Sequence, residues 1–301
     1  MSLYPELKDI RVELREHGVA VVYLDRPTAR NAFTDPMAKS LVVAFDRLDS
    51  DDNVKVVILA GSPNEGKAFC AGADLSKGDF STSDRYSQNS ARNLNEHRDG
   101  GGTVSLALFR VRKPTIAAVN GHAIGIGITM TLGADIRLVS ETAKIGFVFA
   151  QRGIVPEAAS SYFLPKLIGH SRAMQLFMTA KVIPATSPIL DLLWASRHPS
   201  PEATFQAALV LAKDISLSNS MISSSLIKGL VWRGMDSPED QHLLDSKAMH
   251  VAGNSIDSKE GVQAFRDKRA PRMVATVPKD LPTEFYPWWS QKIITRAGAK
   301  L

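Results

Sequence analysis

Thr115-Ile116-Ala117-Ala118-Val119 runs directly into Asn120-Gly121-His122-Ala123-Ile124-Gly125-Ile126-Gly127. A short apolar run behind Pro114 has the length and composition of a buried strand. The glycine-rich turn after it feeds a helix expected over Ile128 to Leu132. Backbone N–H groups at such a helix start have no partner inside the helix and point at whatever binds there. The glycine spacing is G-x-x-x-G-x-G, which is not the dinucleotide fingerprint. The chain also lacks a Walker A sequence and a G-x-S-x-G nucleophile elbow.

The same arrangement occurs upstream. Val54 to Ala60 reads as a buried strand ending at Gly61, and Lys67-Ala68-Phe69-Cys70-Ala71-Gly72-Ala73-Asp74-Leu75 follows it. Small side chains at positions 70 to 73 let a ligand approach the backbone closely. Two loops at the ends of neighbouring strands can each offer one N–H to a single oxygen. That is the geometry of an oxyanion hole, which stabilises charge developing on a carbonyl. Read singly, each loop is no more than a tight turn.

Farther out, Ile10 to Leu14 and Val19 to Leu24 alternate around His17-Gly18 and read as a hairpin. Asp35-Pro36 opens a helix to about Leu48, with Asp35 in the capping position. Ile136 to Ser140 and Ala143 to Phe147 read as further strands, so the fold class is α/β with a largely parallel sheet. Ser76 to Gly102 is polar and ends in Gly100-Gly101-Gly102, the pattern of a mobile, partly helical excursion. Prolines at 184, 188, 199 and 201 mark a connector. Beyond it the spacing predicts helices over 205–215, 220–231, 240–250 and 258–269, with Ser237-Pro238 starting the third. The expected division is a core over 1–200 and a helical region over 201–301.

Composition fits a globular chain of 301 residues, 44% hydrophobic and 22% charged. No apolar stretch has the ~20 residues of a membrane helix, and Met1 to Asp9 carries no apolar signal core. The single cysteine, Cys70, excludes an internal disulfide and a cysteine-built zinc site. A net charge of +5 favours phosphate-bearing or other polyanionic partners. The basic residues are dispersed, save around Arg266 to Arg272, and no nucleic-acid-binding motif accompanies them.

Four stretches, Arg26-Pro27-Thr28-Ala29-Arg30-Asn31-Ala32, Lys67 to Leu75, Asn120 to Gly127 and Ala134-Asp135-Ile136-Arg137, resemble the enoyl-CoA hydratase/isomerase (crotonase) superfamily in order and spacing. The resemblance covers about residues 8–180 and returns from Glu260-Gly261 to Lys268-Arg269. It implies a spiral of repeated β-β-α units with C-terminal helices that drive trimerisation, as a trimer or hexamer. It implies a coenzyme A thioester as substrate, with no separate cofactor and no metal. The thioester oxygen is expected between the N–H groups of Ala71 and Ile126, with Gly125 turning the chain into the helix. Ala29 to Asn31, together with Gly72, Ala73, Asp74 and Leu75, is expected against the CoA nucleotide. Phe265 and Lys268 match a C-terminal F-x-x-K pattern whose lysine meets a CoA phosphate across a subunit boundary.

Hydratases of this superfamily use two glutamates. Thr129 and Phe149 stand at the two matching positions, so neither acid is present. Glu157, in Ile154-Val155-Pro156-Glu157-Ala158-Ala159, stands where some peroxisomal Δ3,Δ2-enoyl-CoA isomerases carry their single carboxylate. Pro156 suits the first position of a helix and Glu157 the second. Apolar neighbours raise a carboxyl's pKa and a helix start lowers it. Asp135 and Cys70 read as structural, Asp74 as a loop fixer, and His122 as at most a support.

The expected reaction is a 3-enoyl-CoA to 2-enoyl-CoA shift in fatty acid metabolism. The alternative is hydration, in β-oxidation or secondary metabolism, through Glu157 alone. A thioester hydrolase, a retro-aldol lyase and a non-enzymatic crotonase-fold binding protein rank lower. Ala299-Lys300-Leu301 resembles the S-K-L peroxisomal address. A peroxisomal import receptor is therefore an expected partner, and the peroxisome the expected location.

Overall fold

The computed structural model describes Tyr4 and residues 6–63, 67–76 and 97–292. Strand β1 (Ile10–Leu14) pairs antiparallel with β2 (Val19–Leu24), Ile10 opposite Leu24 and Leu14 opposite Ala20. Gly18, at φ +76, makes the turn, and a Cβ there would lie 2.6 Å from the Asn53 carbonyl. Strands β3 (Val56–Gly61), β5 (Thr115–Val119), β7 (Ile136–Ser140) and β10 (Ser196–His198) extend the sheet in parallel. The order is β1-β2-β3-β5-β7-β10.

A smaller sheet of order β4-β6-β8-β9 stands beside it, formed by β4 (Ala68–Cys70), β6 (His122–Ile124), β8 (Lys144–Gly146) and β9 (Val182–Pro184). Its first three strands run parallel and β9 closes it antiparallel. Each of β3, β5 and β7 thus hands the chain to a strand of the small sheet and then to a helix. This repeat is the β-β-α spiral that the motifs implied.

The Asn120 side chain locks the handover. Its Oδ1 accepts the Gly61 N–H at 3.0 Å and its Nδ2 donates to the Gly61 carbonyl at 2.8 Å. One amide therefore does the work of a ladder partner where β3 and β5 both end. Gly61 itself must lack a side chain, because a Cβ would lie 2.8 Å from the Phe69 backbone.

Helix α1 (Asp35–Ser50) buries Met37, Leu41, Phe45 and Leu48 against the main core. Its N-cap is Thr34, whose hydroxyl accepts the Met37 N–H at 3.0 Å. Asp35 is the first helical residue and Pro36 the second, so the cap falls one residue earlier than the sequence reading. Threonine wins because its backbone is extended while its hydroxyl reaches the third N–H.

Helix α2 (Gly100–Arg110) packs on α1, α3 (Ile126–Thr129) follows β6, and α4 (Ser160–Ile168) and α5 (His170–Thr179) follow β8. Phe109, Phe163 and Trp232 meet edge to face, with centroids 5.2 to 5.6 Å apart. Such rings bind α2, α4 and the C-terminal helices into one body.

Helix α6 (Pro201–Ser218) falls beyond the expected boundary at 200, yet it covers the other face of the large sheet. Ala208 and Ala212 are both fully buried there against Val21, Ile58, Ala118 and their neighbours. Small residues on a helix face permit that close approach, so this helix completes the core. Helices α7 (Met221–Trp232), α8 (Pro238–Gly253) and α9 (Ile256–Arg266) follow. Serines 220, 237 and 255 cap them in turn. The segment after α9 returns to pack Ala275, Val277 and Leu281 on α7. No described helix is long and apolar enough to cross a membrane.

Candidate active site

The loop after β4 is zipped onto the turn before α1. Phe33 N–H donates to Gly72 O at 2.8 Å, Asp74 N–H to Phe33 O at 2.9 Å, and Ala71 N–H to Arg30 O at 3.1 Å. Arg30 and Asn31, at φ +52 and +54, make the turn. The Asn31 side chain is fully buried. It donates to Ser62 O and Ala68 O, both at 3.1 Å, and accepts from Arg26 N–H at 3.0 Å. It is committed inward, while at this turn Ala29 is half-buried and Arg30 exposed.

Ala71, Ala73 and Leu75 are exposed, while Gly72 is buried with a would-be Cβ 3.1 Å from Ile124 O. Asp74 holds this loop rather than reaching out. It pairs with Arg26 at 2.8 Å and accepts the Ser76 N–H at 3.0 Å. Hydrogen bonds from Ser76, then the Arg26 guanidinium, hold its pKa down to about 2.

Gly125, at φ +55, turns β6 into α3 and donates its N–H to Gly146 O at 2.8 Å. Ile126 supplies the first N–H of α3, which the helix itself leaves without an acceptor. Gly127 rides on β4: a Cβ there would lie 2.3 Å from the Cys70 carbonyl. That contact sets the α3 N-terminus beside Ala71. Of the two expected oxyanion donors, then, Ile126 has its N–H at a helix start, while Ala71 has its N–H on the Arg30 carbonyl.

Glu157 is half-buried and faces α3. Thr129 Oγ1 donates to Glu157 Oε1 at 2.5 Å. Thr129, which the resemblance set at a hydratase glutamate's position, therefore holds the carboxylate. Glu157 lies before α4, not within its first turn as the sequence suggested. Ala158 and Ala159, at φ +57 and +53, delay the helix start to Ser160. The other oxygen of Glu157 lies over Gly101 of α2, where a Cβ would stand 1.7 Å from Oε2.

Thr129 as a clasp, and Gly101 as a floor, were missed in the sequence. The one available signal was three glycines opening a helix, a costly choice that a close neighbour explains.

The remaining candidates are structural. Asp135 Oδ2 accepts from Thr115 N–H and Oγ1, both at 2.8 Å, and pairs with Lys228 at 3.0 Å. Arg137, driven down to about 10 by burial, donates to Ala134 O at 2.6 Å and Leu193 O at 3.2 Å. His122 Nδ1 accepts the Lys144 N–H at 2.9 Å, and burial followed by Lys144 lowers its pKa. It is a neutral brace between β6 and β8. Cys70 is fully buried, which pushes its thiol up to about 12.

Phe265 is 85% exposed on α9, and Lys268 follows that helix at φ +52. Within one chain Phe265 forms no wall of the site around Glu157. The tripeptide Ala299-Lys300-Leu301 and most of Ser76 to Gly102 lie outside the described residues. Among the described residues no cluster of three His, Cys, Asp or Glu could hold a metal ion.

A β-β-α spiral with two apposed loops and one clasped carboxylate defines a crotonase-type enzyme. The family profile described as enoyl-CoA hydratase/isomerase matches residues 14–274, and the chain belongs to that family. The enoyl-CoA hydratase AFT3-1 of Alternaria alternata is 43% identical over 260 residues, covering 86% of this chain and 84% of its own. The 1,2-epoxyphenylacetyl-CoA isomerase of Escherichia coli is 30% identical over 259 residues, covering 85% and 95%. The crystal structure of an enoyl-CoA hydratase from Bacillus anthracis superposes with a TM-score of 0.76 at 27% identity, covering 88% of this chain and 99% of that one.

Proposed function

We propose that this enzyme moves the double bond of a 3-enoyl-CoA to the 2-position, with Glu157 as its single proton carrier. The observation that carries the reading is the aim of that carboxylate, with Oε1 held by Thr129 Oγ1 at 2.5 Å and Oε2 over Gly101 beside Ile126. Asp74 is committed to Arg26 and Ser76, Asp135 to Thr115 and Lys228, and Thr129 and Phe149 fill the places of a hydratase pair.

Glu157 takes a proton from C2 of the thioester. The C2–H electron pair moves into the C1–C2 bond and negative charge develops on the thioester oxygen, giving a dienolate that keeps C3=C4 until C4 is protonated. That oxygen takes the Ile126 N–H and competes with the Arg30 carbonyl for the Ala71 N–H. Donors aimed at the developing oxyanion lower the barrier. Glu157 then returns the proton to C4. One base suffices because the proton only travels, and no water, metal or cofactor beyond the CoA of the substrate is consumed.

Hydration of a 2-enoyl-CoA is the second reading, favoured by the hydratase names of the relatives at 41 to 43% identity. Incubation with 3-enoyl-, 2-enoyl- and dienoyl-CoA, with products resolved by mass and retention, separates the two. Isomerisation without mass change supports the first reading. Gain of water from 2-enoyl-CoA alone overturns it. Glu157→Gln is expected to lower turnover by about 10²–10⁴-fold with CoA-ester affinity nearly unchanged.

The proposal includes assembly and place. Val231, Met249, Val262 and Phe265 are between 50 and 85% exposed, an apolar surface suited to packing in a trimer or hexamer. Lys268 would reach a CoA phosphate of a neighbouring subunit. Light scattering on the wild type, and calorimetry with Lys268→Ala, test both. Ala299-Lys300-Leu301 would direct the enzyme to peroxisomes, in fatty acid or secondary metabolism. An N-terminal fluorescent fusion lacking these residues should lose its punctate pattern.

A further inference from the structure

Glu157 is aimed by its neighbours in the chain, and those neighbours are held from across the fold. Asp99 is the N-cap of α2 and accepts the Gly102 N–H at 2.5 Å through Oδ1. The same oxygen accepts the Ala158 N–H at 3.3 Å. Ala158 is the residue after Glu157, and it opens the pair of left-handed alanines.

A non-glycine residue in that conformation costs about 1–2 kcal/mol, and such a turn persists only where surrounding contacts hold it. Asp99 supplies one such contact. The turn it holds then lays the Glu157 carboxylate over Gly101. A Cβ at 101 would also lie 2.6 Å from Ile126 Cδ1. The first turn of α2 thus touches the carboxylate, its backbone and the residue that offers the oxyanion donor.

We propose that Asp99 is a positioning residue for Glu157, acting through the Ala158 N–H, and that it takes no proton itself. Its Oδ1 already serves two N–H donors, which suits an orienting role. This inference rests on Glu157 being the proton carrier.

The test is a double-mutant cycle in the full chain, using Asp99→Ala, Glu157→Gln and their combination, with kcat, KM and CoA-ester affinity measured well below the melting temperature. Asp99→Ala should lower kcat about 10-fold while KM stays within about 2-fold, since small misplacements of a reacting group are costly. Asp99→Asn keeps the acceptor oxygen and should restore kcat to within about 3-fold. In the Glu157→Gln background, Asp99→Ala should cost almost nothing further, because coupled residues are non-additive.

An equal loss from Asp99→Ala in both backgrounds, or no rescue by asparagine, overturns the positioning role. Near-normal turnover in Glu157→Gln alone is a different failure, that of the proposed function.

Discussion

Thr129 and Glu157 are joined by one hydrogen bond, Oγ1 to Oε1 at 2.5 Å, that ties α3 to the loop before α4. The hydroxyl fixes which carboxylate oxygen faces the helix and leaves the other over Gly101. A hydrogen bond to a charged group contributes roughly 1.5–3 kcal/mol. Thr129→Val, which keeps the shape and removes the donor, should lower kcat about 10-fold with little change in KM. Unchanged steady-state kinetics would show that the clasp does not align the base.

Gly101→Ala separates stability from activity. Alanine is favoured over glycine inside a helix by about 1 kcal/mol, so α2 should be no weaker. The new methyl would occupy the place of Glu157 Oε2, only 1.7 Å away. The carboxylate must move, and turnover should fall nearly as far as in Glu157→Gln. A variant with an equal or higher melting temperature and normal turnover would contradict this geometry.

Cys70 should be silent. Burial holds its thiol near 12, so iodoacetamide at pH 8 should leave the native protein unlabelled and label it fully in denaturant. A thiol raised on folding favours the folded state below its unfolded pKa of about 8.5, and that preference is lost as pH climbs towards 12. Cys70→Ala should therefore flatten part of the alkaline fall in urea midpoint.

Asp74 gives the opposite limb. Its carboxylate is held near 2 by Ser76 and Arg26. A carboxyl lowered on folding stabilises above its unfolded pKa of about 3.9 and loses that contribution as pH falls through the folded value. The gap in urea midpoint between wild type and Asp74→Asn should be full at pH 5 and close towards pH 2. A pH-independent gap would assign Asp74 a role other than the Arg26 pair.

Much of this was legible because periodicity and loop chemistry are local. The β1–β2 hairpin, β3, β5 and β7, the glycine loops and the capping of α8 by Ser237 all follow from neighbours in the chain. Two short strands of the second sheet carry no such signal. β4 and β6 are three residues each, too short for an alternation to show, whereas β8 lies inside the strand read over Ala143 to Phe147.

The placement of α6 was also hidden, since Ala208 and Ala212 mark a helix face but do not name the surface it meets. At the site, Glu157 stood out by its setting, while the residues that hold it did not. Thr129 and Gly101 reach it from 28 and 56 residues away, and Asn31, Asp74 and Asp135 turned inward to brace loops and strands.

The two left-handed alanines carry a cost in breeding as well as in folding. Anyone selecting this enzyme for heat tolerance would find glycine at 158 or 159 an easy gain, since it relieves a backbone that L side chains resist. The same exchange would free the swing of Glu157. Such a selection would enrich sturdier, slower descendants, and the alanines would return only when turnover itself was scored.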